Sequence, residues 1–301
     1  MKLNTSSVFV TLFLMATAVS TVSGESPYRL DPTFPQLPKG MKLESVSGVA
    51  TDGEGNVLVF HRKKKGNPIL VFTPDGKFLR SMGGGLFDST HGLRCDANGN
   101  IWVTDNKNHT VVKFDPTGKV LLTLGKRGKK GTNEGLFNRP ADIAFAPDGS
   151  VFIADGYGNS RVVKLDPSGK FLLAWGKKGK GIGQFNLPHS VRLDSKGLLY
   201  VGDRENDRVQ VFTQEGKFVR QFGGFAPHGL FITPDDRLFV ADGRAHKVMI
   251  MTLEGKILHE WGTMGSEPGN FILPHGITVA DDGAVYVAEI HGKRVQKFVL
   301  K

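Results

Sequence analysis

The chain has 301 residues, and its 39% hydrophobic content is enough for a packed core. Its 39 glycines and 15 prolines exceed average usage but fall short of low complexity, which excludes disordered and collagen-like classes. Basic residues outnumber acidic ones by 39 to 29, and Cys95 is the single cysteine. One cysteine excludes an intramolecular disulfide, a cysteine-rich zinc site and a multi-cysteine iron–sulfur cluster, so a metal would need histidine, carboxylate or backbone oxygen.

The N-terminal segment differs in composition from the rest of the chain. Lys2 precedes an apolar run over residues 8–19, and small residues follow at 22–24. This layout is typical of a secretory signal peptide, and the run is too short to span a bilayer, which takes about 20 residues. We therefore expect a signal peptide over residues 1–24 and a mature domain over 25–301 that is secreted or periplasmic, without a transmembrane anchor.

Three sequence patterns recur along the chain. A Gly-Lys pair followed by an apolar run and a further glycine begins at Gly76, Gly118, Gly169, Gly216 and Gly255. Alternating apolar residues ending in an acid occur as IWVTD, VFIAD, LYVGD, LFVAD and VYVAE, and each is followed by another short apolar segment. Period-two alternation with turn signals at this spacing predicts four short antiparallel strands per repeat, which is a propeller blade.

The number of repeats predicts a closed ring. Six repeats carry the first three strands, but only five carry the Gly-Lys strand, because the sequence stops at Lys301. The sequence therefore predicts an all-β fold, a six-bladed β-propeller of four-stranded antiparallel blades in a single domain. We expect the missing strand of blade six to come from the N-terminal segment near Tyr28 to Leu30, where it would cover an edge that invites aggregation.

Histidine recurs at one register of the innermost strands, at His91, His189, His228 and His275. Equivalent positions on blades two, four and six of a six-bladed ring stand about 120° apart, so His91, His189 and His275 can point at one central spot. Three imidazoles meeting there form a zinc-type site with an open coordination position. A lone histidine would more often fill the channel or bond a carbonyl. His228 on blade five is a ligand, a hydrogen-bonding neighbour or filler, and we favour the last two.

Longer stretches resemble a known enzyme family. They are VSGVATDGEGNVLVFHR, THGLRCDANGNIWVTD, ADGYGNSRVV, LPHSV, GDRENDRVQVF and LPHGI. They look like the peptidyl-α-hydroxyglycine α-amidating lyases, which are six-bladed propellers of NHL-type repeats. The resemblance implies an exported, zinc-dependent lyase that splits a carbinolamide such as a peptidyl-α-hydroxyglycine into an amide and glyoxylate. In that family the three histidines that match His91, His189 and His275 bind the catalytic zinc.

The resemblance also implies roles for three further residues. The family's tyrosine base falls on Tyr157, and its active-site arginines fall on Arg62 and Arg204. A free tyrosine has a pKa of about 10, so it needs nearby positive charge to act as a base near neutrality. Because a guanidinium can hold a carboxylate through two hydrogen bonds, we assign Arg62 to the substrate carboxylate and the tyrosinate. We assign Arg204 to orienting or charge-tuning Tyr157.

A structural calcium ion is also implied by the resemblance. Its two backbone carbonyl ligands match Val49 and Leu93, but the carboxylate that follows the third histidine in the family is Gly276 here. Calcium prefers many oxygen ligands, so the missing carboxylate puts this second ion in question. The copper-dependent half that makes hydroxyglycine has no counterpart in the sequence, which leaves another small carbinolamide or hydroxy acid as an alternative substrate.

A noncatalytic propeller that binds an anionic ligand or partner is the competing interpretation. Lysine clusters lie at 63–65, 126–130 and 177–180, and basic patches can neutralise phosphate. Lysine runs on turns are more often simply solvated, and an exported protein is not expected to meet nucleic acid. Anionic substrates or an anionic cell surface would explain the lysines equally well. We expect a monomer acting on a small molecule or peptide with a terminal carboxylate.

Overall fold

A computed structural model describes residues 26–63 and 65–301. The predicted signal peptide over residues 1–24 lies outside these described residues. Six four-stranded antiparallel sheets form the blades of a ring, which confirms the predicted six-bladed propeller. In the described part of the chain, no helix is long and apolar enough to span a membrane.

Each blade is built from four successive strands, apart from blade 6. The strands of blades 1 to 3 are β2 (Val46–Thr51), β3 (Val57–His61), β4 (Ile69–Phe72), β5 (Phe78–Met82), β6 (Thr90–Cys95), β7 (Ile101–Asp105), β8 (Thr110–Phe114), β9 (Val120–Leu124), β10 (Asp142–Phe145), β11 (Val151–Asp155), β12 (Arg161–Leu165) and β13 (Phe171–Trp175). Those of blades 4 to 6 are β14 (Pro188–Leu193), β15 (Leu199–Asp203), β16 (Arg208–Phe212), β17 (Phe218–Gly223), β18 (Pro227–Ile232), β19 (Leu238–Asp242), β20 (Lys247–Met251), β21 (Ile257–Trp261), β22 (Pro274–Val279), β23 (Val285–Glu289) and β24 (Arg294–Leu300). A single-turn helix α1 (Gly156–Asn159) and a 3₁₀ turn (Arg204–Asn206) follow β11 and β15.

Burial changes from the hub of the ring to its rim. The second strand of every blade is buried along its whole length, as in β7 and β23. The outermost strands are only partly buried, and along β17 half-buried residues alternate with exposed ones. Apolar side chains from facing blades form the core clusters between the sheets. This gradient explains why the second strands read as continuous apolar runs whereas the Gly-Lys strands carry polar residues.

The N-terminal segment closes the ring, which confirms the predicted origin of the missing strand. Strand β1 (Tyr28–Asp31) pairs antiparallel with β24, with Tyr28 opposite Leu300. The ring of Tyr28 stacks on Trp261 of blade 5 at a centroid distance of 5.4 Å and meets Phe239 edge-on at 6.3 Å. The first strand therefore holds blade 6 and packs against blade 5 as well.

The two faces of the disc carry different connections. Because strands alternate in direction, one face carries the links from second to third strands and the links between blades. We call it the histidine face, since His91, His189 and His275 lie at the start of the inner strands there. The opposite face carries the turns between first and second strands and between third and fourth strands. We call it the turn face.

Candidate metal centre

A β-bulge lies at the histidine register of the inner strands. The pairing register shifts between Pro188 and Ser190 in blade 4 and between Pro274 and Gly276 in blade 6. A similar shift surrounds His91 in blade 2. A bulge leaves one residue unpaired and re-aims its side chain. The unpaired residue is the histidine in blades 4 and 6, and in blade 2 His91 and Gly92 are both unpaired; the three rings point into the central channel.

The three predicted ligands meet at the hub of the ring. The rings of His91, His189 and His275 lie 4.8 Å apart, centroid to centroid, in all three pairs. One nitrogen from each histidine lies within 4.8 Å of the others. All three side chains are buried.

A backbone carbonyl of the next blade fixes each imidazole. His91 Nδ1 lies 2.8 Å from the oxygen of Ala141, His189 Nδ1 lies 2.6 Å from that of His228, and His275 Nδ1 lies 2.7 Å from that of Ser47. A carbonyl only accepts, so each Nδ1 carries the hydrogen and each Nε2 presents a lone pair. Such contacts orient the imidazoles of metal sites in proteins.

The three imidazoles are neutral in the folded protein. Burial, together with the nearby positive charge of Arg62, lowers the pKa of His91 to about 3. Burial also holds the pKa values of His189 and His275 well below the ordinary histidine value. Three neutral nitrogens that face one point can together bind a metal ion. The hydroxyl of Tyr157 has one hydrogen and can therefore satisfy only one of the three lone pairs. The three histidines therefore fit a divalent cation such as zinc.

Tyr157 is held over the histidines by a fixed turn. The buried carboxylate of Asp155 accepts hydrogen bonds from the side chains of Asn159 at 2.7 Å and Arg161 at 2.9 Å. Gly156 packs against the backbone that leads into His189, where an added Cβ would lie 1.9 Å from the oxygen of Pro188. The other residues of the DGYGNSR motif therefore fix the turn that holds Tyr157 above the histidines.

The Tyr157 hydroxyl lies against two of the converging histidines. It is 2.9 Å from His91 Nε2 and 3.1 Å from His189 Nε2, and Arg204 Nη1 donates to it at 3.3 Å. The guanidinium of Arg204 also lies 5.5 Å from the centre of the tyrosine ring. The structure thus brings Tyr157 and Arg204 together with the histidines.

Arg62 reaches the same region from blade 1. Its Nε donates to the oxygen of Thr90 at 3.4 Å, next to His91. Partial desolvation lowers the pKa of Arg62, and a negative charge on Tyr157 would raise it, so the two groups are within electrostatic reach. Equivalent positions of three blades are occupied by Arg62, Tyr157 and Arg204. Their backbone N–H groups donate to the carbonyls of Ser45, Arg139 and Leu187, each of which lies two residues before the histidine register of an inner strand.

Arg139 is a site residue that the sequence analysis did not identify. Its guanidinium lies 5.4 Å from the centre of the Tyr157 ring, and its backbone oxygen accepts the Tyr157 N–H at 3.3 Å. Arg139 has a left-handed backbone, as do Leu187 and Leu273 at the same place in blades 4 and 6. The repeated Pro after these three residues was a signal that could have found Arg139.

His228 lies beside the three histidines without joining the converging set. Its ring centre is 5.6 Å from that of His189 and 6.1 Å from that of His275. Its Nδ1 accepts the Gly243 N–H at 3.2 Å and lies 3.0 Å from the oxygen of Ala226, while its own oxygen contacts His189 Nδ1. Its position is that of a neighbour that orients His189 through the backbone.

The residues around Val49 and Leu93 do not fit a calcium ion. Arg94 Nη1 donates to the Leu93 oxygen at 2.7 Å, so a guanidinium already lies on this predicted ligand. A Cβ at Gly276 would lie 3.1 Å from the oxygen of Ser47, which leaves little room for a carboxylate side chain. We therefore derive no role for calcium.

A buried ionic cluster fills this part of the channel. The Asp142 carboxylate accepts from Arg94 and Arg192 at 3.0 Å each and from Ser190 at 2.7 Å. The cluster joins blades 2, 3 and 4 through ion pairs and a hydrogen bond between side chains of the protein.

Comparison with known protein families decides the class of this propeller. The model for the NHL repeat matches residues 87–114, 137–165, 185–212 and 271–298. The chain is 34% identical over 308 residues to NHL repeat-containing protein 3 of Homo sapiens, and the match covers 94% of this chain and 87% of that protein. The chain belongs to the NHL-repeat propeller family.

Amidating enzymes are also among the relatives of this NHL-repeat propeller. It is 36% identical over 298 residues to the peptidylglycine alpha-amidating monooxygenase of Rattus norvegicus, covering 85% of this chain but 30% of that protein. It is 31% identical over 312 residues to peptidyl-alpha-hydroxyglycine alpha-amidating lyase 1 of Drosophila melanogaster, covering 86% of this chain and 58% of that one. These matches support the resemblance to the amidating lyases, although the chain spans only part of each relative.

Solved structures support the fold alone. A streptogramin B lyase superposes with a TM-score of 0.66 at 18% identity and covers 91% of this chain and 98% of its own. At this level of identity the match describes the ring of blades and carries no information about chemistry.

Proposed function

We propose that this chain is an exported, zinc-dependent lyase that splits a carbinolamide, such as a peptidyl-α-hydroxyglycine, into an amide and glyoxylate. The observation that carries the proposal is the position of the Tyr157 hydroxyl, which lies between His91 Nε2 and His189 Nε2 with two guanidiniums close by. The relative of Drosophila melanogaster that is named as an amidating lyase supports the same chemistry.

Tyr157 is placed to move the proton. In the reaction the substrate hydroxyl loses its proton, its C–O bond becomes the carbonyl of glyoxylate, and the C–N bond breaks. The amide nitrogen leaves with that bond's electron pair and takes up a proton. As its phenolate, Tyr157 can accept the first proton and, as the phenol, donate the second, and the guanidiniums of Arg204 and Arg139 lie beside its ring.

The histidines and Arg62 complete the proposed site. His91, His189 and His275 would hold zinc, which supplies a Lewis acid that lowers the pKa of a coordinated hydroxyl. Arg62 lies at the rim beside His91 and is suited to pair with the terminal carboxylate of the substrate through its two-pronged guanidinium.

A noncatalytic role is the second candidate. NHL repeat-containing protein 3 matches over more of both chains than the amidating relatives do, and its name states no activity. The same arginines would then hold an anionic ligand without cleaving it. Glyoxylate release separates the two candidates.

The test combines metal content with product release from an N-acyl-α-hydroxyglycine. We expect about one metal ion per chain, glyoxylate as product, and loss of both in His189→Ala. Tyr157→Phe should keep the metal while kcat falls by about 100- to 10,000-fold, because proton transfer by a placed side chain contributes that much. Tyr286→Phe is the matched control, since the described residues include no hydrogen-bond partner for its hydroxyl. Full activity of metal-free protein, or no glyoxylate from the metal-loaded one, would refute the proposal.

A further inference from the structure

Two loops of the histidine face beside Tyr157 are rich in basic residues. The loops cover residues 125–141, between β9 and β10, and 176–187, between β13 and β14, and they flank blade 3 on its two sides. Together they contain one carboxylate, that of Glu134, and eight basic residues: Lys126, Arg127, Lys129, Lys130, Arg139, Lys177, Lys178 and Lys180. We call these eight residues the basic track.

The charges of the basic track are not neutralised locally. All eight residues are exposed, and the ion pairs of the described residues include none of them. Arg127 donates to the oxygen of Leu86 at 2.9 Å and Arg139 to the side-chain oxygen of Asn106 at 3.4 Å, and both acceptors are uncharged. Uncompensated charges of one sign around a cleft raise the local concentration of oppositely charged ligands.

The turn face carries the opposite balance. Its turns between first and second strands are rich in carboxylates, and its turns between third and fourth strands pair one acid with one lysine. The acids in the first group of turns are Asp52, Glu54, Asp96, Asp148, Asp194, Asp235, Asp236, Asp281 and Asp282. The net positive charge of the chain is therefore concentrated on the histidine face, at the mouth of the site.

Most of the positive charge on the histidine face lies on blades 1 to 4, because the exposed Lys63 and Lys65 in the link after β3 add to the basic track from the side of blade 1. Beyond blade 4 the rim is balanced, because Arg244 pairs there with Glu205 and Asp207. The loop over residues 262–273 carries Glu267 and no basic residue. A protein that binds a flat anionic membrane would carry basic residues all round the rim. An extended peptide leaving the site would contact basic residues on one side of the rim only.

We infer that the basic track binds an acidic peptide, whose C-terminal end enters the site while acidic residues upstream lie across the two loops. The inference rests on the proposed function, because that function places the C-terminal end of a substrate at Tyr157. It narrows the substrate class to peptides with carboxylate side chains before the reacting residue.

The test measures binding without turnover. Three labelled peptides of equal length end in glycine with a free carboxylate and carry four Glu, four Gln or four Lys upstream; fluorescence anisotropy with the metal-loaded protein gives each Kd. We expect the Glu peptide to bind at least about tenfold more tightly than the Gln peptide at low salt, and the Lys peptide more weakly than both. The difference should vanish near 1 M salt, where charges are screened beyond about 3 Å.

Two matched variants locate the effect. The triple variant Lys126→Gln, Lys129→Gln, Lys130→Gln should remove most of the preference for the Glu peptide. The variant Lys119→Gln, Lys170→Gln, Lys217→Gln changes the net charge equally on the turn face and should keep it.

Equal binding of the Glu and Gln peptides, or equal effects of the two triple variants, would overturn the inference. So would cosedimentation with phosphatidylglycerol vesicles that depends on the basic track while the peptides show no preference. None of these binding assays requires turnover. A protein that binds the Glu peptide more tightly but releases no glyoxylate would therefore refute only the proposed lyase activity. A protein that releases glyoxylate but binds the Glu and Gln peptides equally would refute only the proposed role of the basic track.

Discussion

The ring of Tyr157 has guanidinium groups from two different blade connections around it. Arg204 was predicted, whereas Arg139 emerges only from the structure, 5.4 Å from the ring centre. If Arg139 supports the charge on Tyr157 and on the substrate, Arg139→Gln should lower kcat/KM for an N-acyl-α-hydroxyglycine by about tenfold, equivalent to about 1.4 kcal/mol of transition-state stabilisation.

Arg139→Lys should retain part of that activity because it keeps the charge, and metal content and Tm should stay unchanged in both variants. Arg237→Gln, at a half-exposed arginine on the turn face, is the control and should match the unaltered protein. An Arg139→Gln variant with full kcat/KM would remove Arg139 from the site.

His61 gives the protein a pH-dependent stability outside the proposed metal site. The residue is fully buried, its Nδ1 accepts the Glu44 N–H at 3.2 Å, and burial lowers its pKa, with a further lowering by Lys63 and an opposing effect of Glu44. A histidine whose folded pKa lies below its unfolded value of about 6.5 contributes stability above pH 6.5, which is lost as the pH falls towards the folded pKa.

We therefore expect His61→Gln to lose less stability than the unaltered protein between pH 7 and pH 5. Urea unfolding at the two pH values measures the difference, and the other buried histidines cancel because both proteins contain them. Parallel pH profiles of the two proteins would contradict this account of His61.

At the scale of elements, the closing strand β1 is short and depends on one aromatic side chain. Tyr28 is buried between blades 5 and 6, where it stacks on Trp261, whereas the neighbouring Arg29 is exposed. Truncating a buried aromatic residue costs about 3 to 5 kcal/mol. Tyr28→Ala should therefore lower Tm by about 10 °C, while Arg29→Ala should leave it within a degree or two. Thermal unfolding followed by circular dichroism would decide, and equal Tm values in both variants would show that β1 does not hold the ring.

At the inner strands, the sequence predicted the position of the histidines but not the bulges that orient them. The recurring His and Pro residues gave the register, and that register predicted that alternate blades would aim their imidazoles at one point. The bulge that turns each ring inward leaves no residue pattern of its own, because it is a mismatch between two strands. For Arg139 the same register was present in the sequence, but blade 3 has Ala141 where blades 2, 4, 5 and 6 have histidine, which hid the equivalence.

At the scale of the whole molecule, the ionic cluster of Arg94, Asp142 and Arg192 ties three blades together. Arg94 lies 48 residues and Arg192 lies 50 residues from Asp142 in the sequence, so the packing of successive blades brings them together, and no local pattern predicted the cluster. Because a guanidinium occupies the Leu93 carbonyl, we expect calcium added to the EGTA-treated protein to leave Tm unchanged. Arg94→Ala should cost about 3 to 5 kcal/mol, because it leaves a buried carboxylate with a partner removed. A Tm that falls on EGTA addition and returns with calcium would contradict this interpretation.

The carbonyls that orient the three histidines belong to blades 3, 5 and 1, while the histidines belong to blades 2, 4 and 6. All six blades thus share in one centre, and the final contact, between His275 and Ser47, joins residues that are 228 positions apart in the chain. During synthesis, a ribosome-bound intermediate lacking its last repeat would hold two of the three imidazoles and therefore an incomplete metal site. If the proposed site takes up zinc, we expect that uptake to follow completion of the circle.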